Sequence, residues 1–137
     1  MDKNLEKITA FLDKHHTLSL CTCRDGEPSS CTLFYAFDKE TSSFIVASDE
    51  KTEHIQNILS NPKVSGTIHL ETESVGLIQG VQFKGEMFTC KDNGSIYFKK
   101  FPYALVMNPA LWKIKVNYFK MTDNKLGFGK KLIWEQA

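Results

Sequence analysis

Apolar residues recur at every second position in five separate stretches of this chain, and that spacing restricts the fold more than any other feature. Residues 17–23 set Leu18, Leu20 and Thr22 against Ser19, Cys21 and Cys23. Residues 28–37 place Cys31, Leu33, Tyr35 and Phe37 on one face. Val64, Gly66, Ile68 and Leu70 alternate over 64–70, and Val75, Leu77, Gln79, Val81, Phe83, Gly85 and Met87 over 75–88. In 111–121, Trp112, Ile114, Val116 and Tyr118 point inward, and Lys113, Lys115 and Asn117 outward. A sixth stretch, 44–48, is a short apolar run ending at Ser48. Alternation with one wet face is the mark of antiparallel pairing. Asp25-Gly26 is a preferred tight hairpin dipeptide, and most other connections are short. A sheet of this length with few residues to cover it closes best on itself. The pattern predicts a mainly β, six-stranded antiparallel barrel with peripheral helices.

Three segments carry the helical period instead. Leu5, Ile8, Phe11 and Leu12 form one stripe near the start, and residues 93–101 read as a short helix closed by Pro102. The third lies in residues 48–62, SDEKTEHIQNILSNP, where Ile55, Ile58 and Leu59 are spaced i, i+3, i+4. Ser48 or Asp49 is placed to cap this helix, and Asn61-Pro62 to end it. Lys51, Thr52 and His54 fall in its first turn, where free N–H groups and the positive dipole end favour an anion. Strand, hydroxyl, basic turn and helix together can hold a phosphate. An ordinary capped helix with a solvated end has the same local signature.

The chain has 137 residues, 42% of them hydrophobic, which predicts one domain over residues 1–137. Seventeen basic and 16 acidic residues leave a net charge of +1, so bulk attraction to nucleic acid or an acidic membrane is not expected. No apolar run approaches the roughly 18–20 residues of a membrane span. The N-terminal MDKNLEKITAFLDK has none of the continuous apolar region of a signal peptide. Cys21, Cys23, Cys31 and Cys90 form neither a CxxC pair nor a dense framework, as in a reduced cytoplasmic protein. Cys21 and Cys23 lie near His15-His16, but in no usual zinc spacing. Gly127-x-Gly129 lacks the strand and helix of a dinucleotide loop, and Lys130-Lys131 beside Trp134 reads as a solvated rim.

The order of these elements resembles a known family. DGEPSSCTLFYAFD, then SFIVASDEKTEHIQNILSNPKV, then GVQFKGEM is similar to the flavin-binding split-barrel family of pyridoxamine 5'-phosphate oxidase. The likeness covers about residues 17–90. The ending TDNKLGFGKKLIW resembles the small bacterial YhbP-like branch of that family. The resemblance implies a split β-barrel and an FMN site. By it, Ser48 meets the flavin phosphate, Thr52 matches the serine of the Ser-Arg-Lys signature and His54 its lysine. Glu53 stands where arginine is common, and the unmatched Lys51 is placed to supply the missing charge. Cys31, Thr32, Leu33 and Phe34 match the strand that passes the isoalloxazine edge, with Cys31 in place of a phosphate-binding arginine. Gln82 matches a polar residue at the ring or ribityl chain. The oxidase's C-terminal Arg-x-His substrate element has no counterpart, which argues against that enzyme's own reaction.

Two functions follow. One is an FMN-dependent oxidoreductase, in which the flavin carries the electrons and no nucleophile or carboxylate pair is needed. The other is a non-enzymatic module binding FMN or haem, or using the barrel as an interaction surface. A homodimer with the cofactor at its interface is expected in either case. The resemblance implies it, and Ile78, Phe88 and Phe119 stand on strand faces turned away from the inward series.

Overall fold

The computed structural model describes residues 2–137. Seven strands form one antiparallel sheet: β1 (Thr17–Arg24), β2 (Glu27–Asp38), β3 (Ser43–Ala47), β4 (Lys63–His69), β5 (Gln79–Thr89), β6 (Leu111–Asp123) and β7 (Lys131–Glu135). Their order is β3-β2-β1-β4-β5-β6-β7, and a further β3–β6 pairing closes the first six into a ring. The molecule is thus a split β-barrel, with one strand more than the six expected. The two halves of β6 take different partners. Leu111–Lys115 pair with β3, and Tyr118–Thr122 pair with β7.

Lys130 and Lys131 are exposed, as a solvated rim would be, but the added strand draws Trp134 onto the core. Leu132 is buried in β7, and Trp134 stacks against Phe119 with ring centroids 5.7 Å apart. Helix α1 (Lys3–Asp13) lies against β7 and is tied to it by Asn4 Nδ2 donating to the Ile133 carbonyl. Its Asp2 side chain accepts from the Asn4 and Leu5 amides, a regular N-cap.

A bulge sets the inward series of β6. Gly85 pairs with Val116 but Lys84 pairs with Tyr118, so Asn117 has no partner there. One extra residue reverses the alternation beyond it. Phe119 is therefore fully buried, and Tyr118, expected inward, faces out under the Lys84 ammonium. This removes Phe119 from the apolar surface expected to support a dimer; Ile78 and Phe88 remain exposed. Lys113, expected outward, is largely buried because residues 90–93 and helix α3 (Ser95–Lys100) cover that face, and it pairs with Asp92. Residues 75–77 form a 3-10 turn rather than the start of a strand. A fourth, short helix, α4 (Ala104–Met107), follows Pro102.

The core is aromatic at its centre. Phe44 lies within 4.8–6.1 Å, ring to ring, of Tyr35, Phe37, Phe83 and Phe119. Strands approach too closely at Gly66 and at Gly85 for any side chain but hydrogen. A Cβ on Gly66 would collide with the Ser19 carbonyl and the Phe83 ring. Gly66 therefore lets Phe83 fill the barrel between β1 and β5.

Candidate functional site

Helix α2 (Glu53–Ser60) is capped by Thr52, not by Ser48 or Asp49 as the sequence predicted. The Thr52 hydroxyl accepts from the Ile55 amide at 3.4 Å and donates to the Asp49 carbonyl at 2.9 Å. Ser48 and Asp49 instead build the turn that delivers the cap. The indole Nε1 of Trp112 donates to the Ser48 carbonyl at 2.9 Å, and Asp49 Oδ1 accepts from the Lys51 amide at 2.8 Å. Asn57 holds the inner face of the helix to the barrel by donating to Thr22 Oγ1 at 3.0 Å, a buried bond.

Three of the anticipated residues converge at this corner. Ser48 Oγ lies 2.5 Å from His54 Nε2, and Thr52 Oγ1 lies 3.2 Å from the same nitrogen and 3.4 Å from Ser48 Oγ. Burial holds the His54 imidazole below its usual 6.5, against a smaller opposing pull from Glu53. The ring is then neutral near pH 7; in the tautomer protonated at Nδ1, Ser48 donates to Nε2, and in the other it accepts. If His54 gains a proton, Nε2–H becomes the donor and the Ser48 proton is released toward a ligand. The amides of Glu53 and His54 have no acceptor among the described residues. The corner is a cradle of hydroxyls and amides at a helix N-terminus, with its cation held in reserve.

Glu53 does not stand against this cradle as a free acid. Its carboxylate accepts from Ser29 Oγ at 2.6 Å, which clamps α2 to the start of β2. Lys51 is exposed, and its ammonium makes no hydrogen bond to Ser48, Thr52 or His54 among the described residues. Cys31 and Leu33 pack against the core, and burial pushes the Cys31 thiol up, so it is an apolar neutral group there. Thr32 and Phe34 alternate to the outside, where Phe34 meets the Phe101 ring edge-on at 5.4 Å. The last β2–β3 pair is Tyr35–Val46, so this stretch of β2 runs on past the end of β3, towards Ser48. Gln82 sits apart, on the outer face of β5 opposite Thr67 and Lys120. It lines an open groove of about 360 Å³ with Ser19, Cys21, Ser30, Lys84 and Tyr118.

The sequence did not point to the clamps Ser29–Glu53, Thr22–Asn57 and Trp112–Ser48. Each joins residues far apart in the chain, and no local period marks them.

The profile of the pyridoxamine 5'-phosphate oxidase family matches residues 5–98. The chain belongs to that family. Within it, the UPF0306 protein YhbP of Escherichia fergusonii is 37% identical over 137 residues, covering 96% of this chain and 93% of its own. A heme binding protein from Mycobacterium smegmatis superposes with a TM-score of 0.80 at 13% identity, over 98% of this chain and 59% of that one. An FAD-binding protein from Mesorhizobium loti superposes with a TM-score of 0.67 at 15% identity, over 85% and 90%. Likenesses at such identities show the fold alone. The same fold thus occurs in a protein described as heme binding and in one described as FAD-binding. Among the described residues, no helix is long and apolar enough to cross a membrane, and no cluster of three His, Cys, Asp or Glu is placed to hold a metal.

The state of His54 has a consequence for stability. A histidine whose pKa is lowered by folding binds fewer protons folded than unfolded near and below 6.5. Its contribution is fully present above that value and is lost as the pH falls through it. His15 is lowered for the same first reason, burial, and acts in the same direction. Calorimetry should show the melting temperature falling between pH 7.5 and 5.5, and falling less in His54→Gln. An identical fall in that variant would mean that His54 is not held neutral by the fold.

Proposed function

We propose that this protein binds FMN through its phosphate at the Ser48–Thr52–His54 corner, with the flavin at the interface of a homodimer, and serves as a flavin-dependent oxidoreductase. The observation that carries this reading is the convergence of two hydroxyls, an imidazole and two unpartnered amides at the N-terminus of α2. The donor set fits a phosphate. A dianion beside His54 favours the imidazolium, which frees the Ser48 hydroxyl to donate outward. Glu53 keeps its charge, but its bond to Ser29 ties the carboxylate to the start of β2, and its pull also favours the imidazolium.

FMN, when bound, supplies the one- and two-electron chemistry. The protein's part is to hold and orient. Ser48, Thr52 and His54 fix one end, and the backbone of Cys31 to Phe34 lies beside it as the edge along which the ring is aligned. Gln82 and the groove on the outer face of β5 lie away from this corner of the same protomer. They serve as the surface that a second copy covers.

The test is a parallel titration of the apoprotein with FMN and riboflavin, followed by flavin fluorescence. FMN should bind at least roughly tenfold more tightly, since the missing phosphate removes charge-assisted bonds. Equal affinities would exclude the phosphate corner. A Soret band in freshly purified protein, with no flavin bands, would move the function to haem. Light scattering should give the mass of a dimer at micromolar concentration.

A further inference from the structure

We propose that the cavity between α1 and the paired ends of β6 and β7 binds a small organic carboxylate, apolar body inward and charge at the mouth. The cavity is about 330 Å³, at the lower end of the size range of small-molecule sites. Its floor is made by Phe11, Met121 and Leu132, all nearly buried. Its rim carries Lys7, Lys14 and Lys125.

Three observations select an anion. First, the sole ion pair among the described residues is Lys113–Asp92, so none of these three lysines has an acidic partner. Second, the lining carries one acid, Asp123, against the three lysines, and its oxygens are held by neutral donors. Asp123 accepts from Gln79 Nε2 at 3.1 Å and from the Lys125 amide at 2.9 Å. Third, His15 at the mouth is held below its usual range, first by burial and then by the surrounding His16, Lys100, His69 and Lys14. Three lysines against the one Asp123 carboxylate leave the cavity with a net positive charge. The His15 ring stacks on Phe11 with centroids 4.2 Å apart, which continues the apolar floor to the rim. A bare inorganic anion would leave that floor uncovered. A carboxylate with a ring or short alkyl body covers it and meets the ammonium groups at once.

This cavity is separate from the phosphate corner. It opens at Gln79, the first residue of β5, whereas α2 sits near the other end, where the Met87 amide donates to the Pro62 carbonyl. The full-length protein can be titrated with benzoate, benzamide and inorganic phosphate, followed by backbone amide NMR. Benzoate should shift amides around Phe11, Met121 and Leu132. Benzamide, the same shape without charge, should bind roughly tenfold more weakly. Lys14→Glu with Lys125→Glu should abolish the benzoate shifts while leaving the FMN titration unchanged. Lys14→Arg, which keeps the charge, should retain them. Equal binding of benzamide, shifts scattered over the surface, or persistence in the charge-reversed variant would each overturn the proposal. The same shifts with phosphate alone would also overturn it, since they would place an inorganic anion on the rim.

Discussion

Replacing Thr52 and His54 together by alanine is expected to weaken FMN binding by roughly a hundredfold or more, with a small loss of stability. Each side chain contributes a bond to a charged oxygen, directly or by freeing the Ser48 hydroxyl to donate. Such bonds are worth on the order of 1.5–3 kcal/mol where water is excluded. Two partly additive losses give that ratio. The fold predicts a second effect, because Thr52 is also the cap of α2. Its loss costs about 1 kcal/mol of stability, a few degrees in melting temperature. Thr52→Ser separates the two, since it keeps both the cap and the hydroxyl and should bind FMN nearly as the parent does. Unchanged FMN affinity in the double variant, with only the small thermal shift, would remove the cofactor from this corner.

Phe44→Ala should be the most damaging single change in the core. The side chain is fully buried and meets four other aromatic rings. It also sits where the ring closes, paired with Phe37 on one side and Ile114 on the other. Truncating a buried phenylalanine costs about 3–5 kcal/mol, a large part of the roughly 5–15 kcal/mol that holds a domain together. Urea unfolding should show the unfolding free energy falling by that amount, and Phe44→Leu, which leaves a smaller cavity, should lose less. A loss below about 1 kcal/mol in Phe44→Ala would mean that the site collapses around the gap and that the cluster is not rigid.

Much of the barrel was legible because strand alternation is a local, two-residue signal. Leu18, Leu20 and Thr22, and later Val81, Phe83 and Met87, are buried as their spacing required. The pattern failed where a non-local feature overrode it. The bulge at Asn117 moved Phe119 inside and Tyr118 outside, and nothing in KVNYFK marks the extra residue. β7 was missed because it is only five residues long, follows a glycine-rich turn and opens on the second residue of a Lys-Lys pair. At the candidate site, strand, turn and helix could be read off residues 44–62. The cap was misplaced because Ser48, Asp49 and Thr52 are all good caps, and the choice among them is made by contacts such as Trp112 to Ser48. The same distance in sequence hid the Ser29–Glu53 clamp, which anchors the start of α2 to β2.

The ring closes between β3 and β6, where Ala47 meets Leu111 and Ser43 meets Lys115. During synthesis the first of these strands is complete long before the second exists. Until Leu111–Lys115 emerge, β3 is an edge whose sequence, SFIVA, is short, uncharged and rich in β-branched and aromatic residues. Such an edge is a template for pairing with any other extended chain. Distant pairings of this kind also form slowly. Residues 48–110, between β3 and β6, thus set a waiting time, at roughly 5–20 residues per second, in which the nascent chain is an open sheet at risk of aggregation. A chain broken before Leu111 would remain permanently in that state, with SFIVA as its exposed edge.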